Sequence, residues 1–170
     1  MTGTAEGPVG TQFRDFNDAD ADTVDRIALA AFAEFEGRYD DWPAMVADIG
    51  AMSHLAEAGE IIVAETDGHI SGAVAYIPPH QPKADYFDPE WPAIRMLVVD
   101  PAYRGAGIGR ALTEACIDRA RRDRSREIAL HTSPIMTIAM PMYRRMGFRF
   151  VRDTAPIHGV VYGVYVKNLE

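Results

Sequence analysis

The residues best placed to do chemistry lie between Leu97 and Arg110. An apolar run, Leu97-Val98-Val99, ends at Asp100-Pro101. Arg104, Gly105, Ala106, Gly107, Ile108, Gly109 and Arg110 follow, and a helical pattern starts at once. A strand, a glycine turn and a helix start in that order make an anion cradle. Glycines allow backbone conformations that a Cβ forbids, so successive N–H groups can converge on one point. The first turn of the helix adds free N–H groups and the positive end of its dipole. Arg104 and Arg110 bracket the turn with guanidinium forks suited to phosphate. A Walker A loop would need Lys-Ser/Thr where Gly109-Arg110 stand, and counting G-x-G-x-x-G on from Gly105 lands on Arg110. Both nucleotide loops fail, and Arg-x-x-Gly-x-Gly, from Arg104 through Gly107 to Gly109, remains. A tight strand–helix turn with glycines for close packing is the plain alternative.

A second motif is Tyr143-Arg144-Arg145-Met146-Gly147-Phe148, preceded by Ala139. Together the two segments resemble the GNAT superfamily, the acyl-coenzyme A-dependent N-acyltransferases. The first looks like its pyrophosphate loop. The second is similar to its Ala-x-x-Leu-Tyr-x-x-x-Gly-Phe segment, with Met142 in the Leu place. The resemblance spans roughly residues 60–150. It implies the single-domain GNAT fold, acetyl-CoA as cosubstrate with no metal, and N-acetyl transfer to a primary amine. It also implies a bulged strand before the glycine loop, splayed from its parallel neighbour so that Leu97, Val98 and Val99 receive the pantetheine arm through main-chain groups. Pyrophosphate then falls on Arg104 to Arg110. A main-chain N–H from Leu97 or Val98 would stabilise the developing oxyanion, and Tyr143 would protonate the leaving thiolate.

The base is open. An ammonium with a pKa near 10 must lose a proton before it attacks, and Glu34, Glu36, His80, Asp85, Asp88 and Glu90 are candidates, with a water chain as the alternative. His131 could orient acetyl or water, though a satisfied core histidine is the simpler reading. Three positions depart from the family pattern. Arg95 stands where a carboxylate is common, and either holds an acidic acceptor group or pairs on the surface. Met136 replaces an Asn, and Pro141 delays or kinks the second helix. Cys116 lies on an apolar helix face and reads as core. The arginines from Arg119 to Arg126 read as a solvated face.

These residues need elements to hold them. Thr11–Phe16 reads as a strand, and Asn17 or Asp18 caps a helix whose apolar stripe runs from Val24 to Phe35. A second helix runs from Pro43 to Leu55. Residues 60–66 and 70–77 read as strands joined by the Asp67-Gly68 turn. Pro78–Pro92, with five prolines and Tyr86, Phe87 and Trp91, is a long aromatic loop suited to binding. Ala93–Val99 is a strand, Ile108 to about Asp123 a helix, and 127–131 a strand. Ile135–Met146 is a helix ending at Gly147, and 148–152 and 160–166 close the chain as strands. The expected class is α/β, an α+β mixed sheet in the order β-α-α-β-β-β-α-β-α-β-β. Residues 1–10 form a flexible tail, and 11–170 a single domain.

The 170 residues are 48% hydrophobic and carry a formal charge of -8 with one cysteine. That balance argues against nucleic acid as a partner and excludes a disulfide framework. With no long apolar run and no leader pattern, no membrane association is expected, and a cytoplasmic location is. Strand edges and the Val-Tyr-rich final strand permit a homodimer. The acceptor expected is a small-molecule amine. A protein or peptide acceptor, or a non-catalytic acyl-CoA-binding sensor, are the alternatives.

Overall fold

The computed structural model describes residues 8–170. The expected flexible tail falls mainly on residues 1–7, outside the described residues. Pro8 to Gly10 form a turn, with the Thr11 N–H donating to the Pro8 carbonyl at 2.9 Å.

Seven strands form one sheet: β1 (Thr11–Asp15), β2 (Glu60–Thr66), β3 (His69–Ile77), β4 (Ala93–Val99), β5 (Glu127–Thr132), β6 (Arg149–Asp153) and β7 (Gly163–Asn168). Their spatial order is β1-β2-β3-β4-β5-β7-β6, antiparallel everywhere except between β4 and β5. The helices are α1 (Ala21–Phe32), α2 (Trp42–Ile49), α3 (Ile108–Arg122) and α4 (Ala139–Arg145). The element order is the expected one.

The sheet divides the core. Ile62, Ile94, Leu130 and Tyr165 pack with Ile108, Leu112 and Cys116 of α3 and Tyr143 of α4 on one face. Val63, Ala73 and Val98 pack with Val24, Ile27 and Ala28 of α1 and Met45 and Ile49 of α2 on the other. Period-two alternation in the strands sends neighbouring residues to opposite faces, and both faces are covered along the central strands, while β6 at the edge is exposed. At Gly72 of β3, helix α3 approaches the sheet so closely that an added Cβ would lie 2.9 Å from the Val98 carbonyl oxygen and 3.2 Å from Ile108 and Leu112 methyl groups. Gly72→Val is therefore expected to force α3 off the sheet and lower stability by roughly 1–3 kcal/mol, read by denaturant unfolding.

Several boundaries differ from the sequence expectation. The second helix stops at Ile49, where the Gly50 N–H bonds back to the Val46 carbonyl at 2.9 Å, and Met52–Glu57 continue as a 3₁₀ turn. The helix expected from Ile135 begins at Ala139 instead. Pro141 then sits in the first turn, where its missing N–H leaves no bond unmade. The last strand starts at Gly163 because His158 and Gly159, at φ 44° and 81°, turn the chain between the bridged pair Ile157 and Val160. Arg119 and Arg122 are not a free solvated face. Their guanidinium groups meet Glu60 of β2, and Arg119 also meets Asp15 of β1, so they tie α3 to the sheet.

Candidate active site

The parallel pair that joins the two halves of the sheet is short. β4 and β5 are in register only at Ala93–Ala129 and Ile94–Leu130, although β4 runs on to Val99 and β5 to Thr132. The cause is a bulge in β4. Ala73 faces Val98 and Ala75 faces Arg95, so Met96 and Leu97 share the single place opposite Val74. Met96 takes φ 54°, an uncommon conformation for a side-chain-bearing residue. A bulge bends its strand and twists it away from the neighbour. β4 therefore diverges from β5 beyond Ile94 and leaves a V-shaped cleft.

The ladder phase decides which groups face that cleft. The Asp100 N–H donates to the Ser71 carbonyl at 2.8 Å on the β3 side. Antiparallel bonding alternates every second residue, so the Val98 N–H also points to β3. The Leu97 and Val99 main-chain groups are left on the free edge.

At the end of that edge lies the glycine turn. Gly105 and Gly107 have φ 85° and 83°, the left-handed region that glycine enters at little cost. The first helical bond of α3 runs from the Ala111 N–H to the Gly107 carbonyl at 3.1 Å. None of the N–H groups of residues 105–110 donates to a main-chain carbonyl among the described residues. They lie at the positive end of a helix, the arrangement an anion nest requires. A Cβ on Gly109 would lie 3.6 Å from Val99 Cγ2, 3.8 Å from Leu97 Cδ2 and 4.0 Å from Met142 Sδ, so this glycine leaves open a notch where β4, α3 and α4 meet. The two flanking arginines are occupied. Arg104 meets Glu34 at 3.0 Å and donates to the Ala31 carbonyl, while Arg110 pairs with Glu114 at 3.2 Å. These pairs are exposed and weak. That leaves the main chain of the loop as the better candidate to meet an anion.

Tyr143 of α4 joins the same apolar cluster as Leu97 and Val99, with its ring edge-on to Phe148 at 5.7 Å. Burial raises the pKa of its hydroxyl well above the ordinary phenol range. The hydroxyls of Tyr39 and Tyr76 are bonded to Tyr162 and Asp123, whereas that of Tyr143 makes no side-chain hydrogen bond among the described residues. It keeps its proton at neutral pH and is free to give it elsewhere.

On the α1–α2 face of the cleft, three loops converge. The segment after α1 brings Tyr39, whose hydroxyl bonds that of Tyr162 ahead of β7, and the Asp40 N–H donates to the His158 carbonyl at 2.9 Å. The loop between β3 and β4 lays Tyr86 on His131 of β5, ring centroids 4.1 Å apart. Arg152 pins that loop, donating to the Tyr86 carbonyl and lying 5.8 Å above the Trp91 ring. His131 Nε2 and Thr154 Oγ1 are hydrogen-bonded at 2.6 Å, and Tyr162 leans on the other side of the imidazole at 4.9 Å.

His131 is thus a held, half-buried group. Burial, then the positive charge of Arg95, pushes its pKa down to about 4, so it is neutral at pH 7 and a poor base for an ammonium. Because the folded value lies below the 6.5 of a free imidazole, the unfolded chain takes up this proton first as pH falls. The melting temperature is expected to drop between about pH 6.5 and 4 from this group, and His131→Phe, which keeps the stack, to flatten that drop above pH 4.5.

The other expected base residues are all exposed. Glu34 is paired with Arg104, and the Asp88 carboxylate accepts from the Glu90 N–H at 2.9 Å. Glu36, His80, Asp85 and Glu90 are exposed. Cys116 is fully buried, its thiol pKa pushed up by burial, as befits a core residue. Sequence patterning does not mark Tyr39, Thr154 or Tyr162 as site residues. Tyr162 falls in a stretch that reads as strand, and nothing in the identity of Thr154 marks it. No helix among the described residues is long and apolar enough to cross a membrane.

Comparison with known proteins accords with this geometry. The sequence model of the Acetyltransferase (GNAT) family matches residues 21–148. N-alpha-acetyltransferase 30 of Saccharomyces cerevisiae is 42% identical over 55 residues, which cover 32% of this chain and 31% of that protein. Mycothiol acetyltransferase of Sanguibacter keddieii is 34% identical over 93 residues, 54% of this chain and 29% of that protein. The chain thus spans about a third of the length of these curated relatives. The structure of yncA from Salmonella typhimurium with its cofactor acetyl-CoA superposes with a TM-score of 0.68 at 18% identity, covering 95% of both chains. At that identity the likeness speaks to the fold.

Proposed function

Because the chain belongs to the acetyltransferase (GNAT) family, we propose that it transfers acetyl from acetyl-CoA to a primary amine of a small molecule, within a ternary complex. The observation that carries this reading is the divergence of β4 from β5 at the Met96–Leu97 bulge, leading directly into the N–H nest of residues 105–110. The residues fit such a donor. Unpaired main-chain groups line one edge, an anion nest lies at its end, and Gly109 keeps open a notch that a side chain would fill.

Acetyl-CoA supplies an acetyl thioester, whose carbonyl carbon takes the amine nitrogen as the C–S bond breaks. The chain supplies position and charge. Leu97, Val98 and Val99 form the edge that would hold the pantetheine arm, and the nest with Arg104 and Arg110 would hold the pyrophosphate. The ladder phase favours the Leu97 N–H over that of Val98 as the donor to the carbonyl oxygen that gains charge. A fixed main-chain donor in a water-poor cleft stabilises that charge without reorganising. The Tyr143 hydroxyl, protonated and without a side-chain hydrogen bond among the described residues, would hand its proton to the departing sulfur. The expected carboxylates are all exposed, which favours water as the proton carrier.

A compact acceptor is favoured by the wall that Tyr86 and Trp91 build and Arg152 pins. The test is acetyl-CoA-dependent thiol release across amines, amino acids, aminoglycosides and peptides with free N-termini. Release with small amines supports the reading. Release with peptides alone moves the acceptor to protein N-termini, and silence with tight acetyl-CoA binding points to a sensor.

A further inference from the structure

Arg95 is an unusual cation for its position. Ile94–Leu130 is the last paired step between β4 and β5, so Arg95 and His131 are the first residues past the point of divergence. Ile94 packs on the α3 face, so alternation sends Arg95 to the α1–α2 face, where His131, Tyr86 and Tyr162 lie. Its charge is felt at both rings, after burial itself, lowering the pKa of His131 and opposing the rise at Tyr86.

Three neighbouring cations are engaged. Arg104 holds Glu34, Arg152 holds the Tyr86 carbonyl, and Lys83 Nζ donates to the carbonyls of Pro78 and Gln81 at 2.9 and 3.0 Å. Arg95, half-buried, makes no ion pair and no hydrogen bond among the described residues. The nearest negative charge felt at Tyr86 is Asp85, which is exposed and does not pair with Arg95. A guanidinium has five donors in a planar fork, and partial burial without an acceptor is costly. In a chain of formal charge -8, many carboxylates were available to neutralise it.

We infer that Arg95 binds a carboxylate of the acceptor, so that the preferred substrate is an α-amino acid with a large apolar side chain, its amine directed to the β4–β5 cleft. This rests on the acetyl-transfer reading above and deepens it. The fork matches a carboxylate in two parallel N–H···O bonds. The surrounding Tyr86, Tyr162 and Met96 suit an apolar side chain, since aromatic and thioether surfaces pack without needing polar partners. A cation beside the bound amine also disfavours the ammonium form and eases loss of the proton that must leave before attack.

The test compares kcat/KM for leucine, methionine, phenylalanine and tryptophan with that for their carboxamides at saturating acetyl-CoA, in the wild-type chain, Arg95→Met and Arg95→Lys. The wild-type chain is expected to prefer the free acid by about tenfold or more, as for a charge-assisted pair worth 1.5–3 kcal/mol. In Arg95→Met the free-acid value falls to that of the carboxamide, and Arg95→Lys recovers part of it. No preference in the wild-type chain, or equal loss on both members of each pair in Arg95→Met, would overturn the inference. A second readout needs no turnover: thermal stabilisation by N-acetylphenylalanine against N-acetylphenylalaninamide, with coenzyme A present. Carboxylate- and Arg95-dependent stabilisation without turnover keeps the inference and removes the acetyl-transfer reading. Turnover without preference does the reverse, and absence of both turnover and stabilisation removes the inference.

Discussion

In Tyr143→Phe, kcat is expected to fall by about 10²-fold or more, the range that a positioned general acid contributes, while acetyl-CoA affinity stays within about twofold. The substitution is clean because of how Tyr143 is held. Its ring packs on Phe148 and within the cluster that includes Leu97, Val99 and Met142, and phenylalanine keeps all of that contact. Its hydroxyl makes no side-chain hydrogen bond among the described residues, so removal orphans no bonded donor or acceptor. A buried hydroxyl with a structural duty would show a loss of stability instead. The discriminating pattern is a lowered kcat, an unchanged melting temperature and an unchanged acetyl-CoA titration. Wild-type turnover in this variant would remove Tyr143 from the proton path.

Gly107→Val is expected to have the opposite signature. Gly107 sits at φ 83° immediately ahead of α3, and among the described residues an added Cβ would find only Pro8 Cγ, at 4.0 Å. Space is not the obstacle; conformation is. An L-residue in the left-handed region costs roughly 1–2 kcal/mol, and a β-branched one more. The loop relieves that cost by rotating away from φ 83°, which turns N–H groups of the nest out of convergence. The KM for acetyl-CoA is therefore expected to rise about tenfold or more, since each 1.4 kcal/mol is a factor of ten. Turnover at saturating donor should be largely kept. Equal falls in kcat and kcat/KM with an unchanged KM would show that the loop serves the chemistry, not the pyrophosphate.

The two variants rest on features that differ in how far the sequence displayed them. Glycines at 105, 107 and 109 between an apolar run and a helical stripe are a local signal, because the conformation they permit is decided within the loop itself. Asp67-Gly68 was equally plain, with Asp67 and Gly68 at φ 52° and 81° in the turn between β2 and β3. The position of the bulge was expected only through family resemblance. Met96 adopts φ 54° against its own preference, imposed by the pairing of β4 with β3, and nothing in its identity announces that.

The acceptor face was the least legible part. Tyr39, Tyr86, His131, Thr154 and Tyr162 come from five segments, and only the tertiary fold brings them into contact. The β7 boundary illustrates the cost. Val160–Tyr162 reads as strand by composition, yet the His158–Gly159 turn diverts it and frees Tyr162 to meet Tyr39. Arg95 was visible as a departure from the family pattern. That it has no ion pair among the described residues at the mouth of the cleft required the sheet register and the engagement of its neighbours.

The donor site lies at the heart of this account, and amide chemical shifts of the ¹⁵N-labelled chain titrated with acetyl-CoA test it most directly. The largest changes are expected at Leu97 and Val99 and along residues 105–110, saturating together with one dissociation constant. Shifts confined to another surface, such as the polar hollow lined by Arg14, Arg26, His69 and Tyr103, with residues 105–110 unmoved, would contradict it.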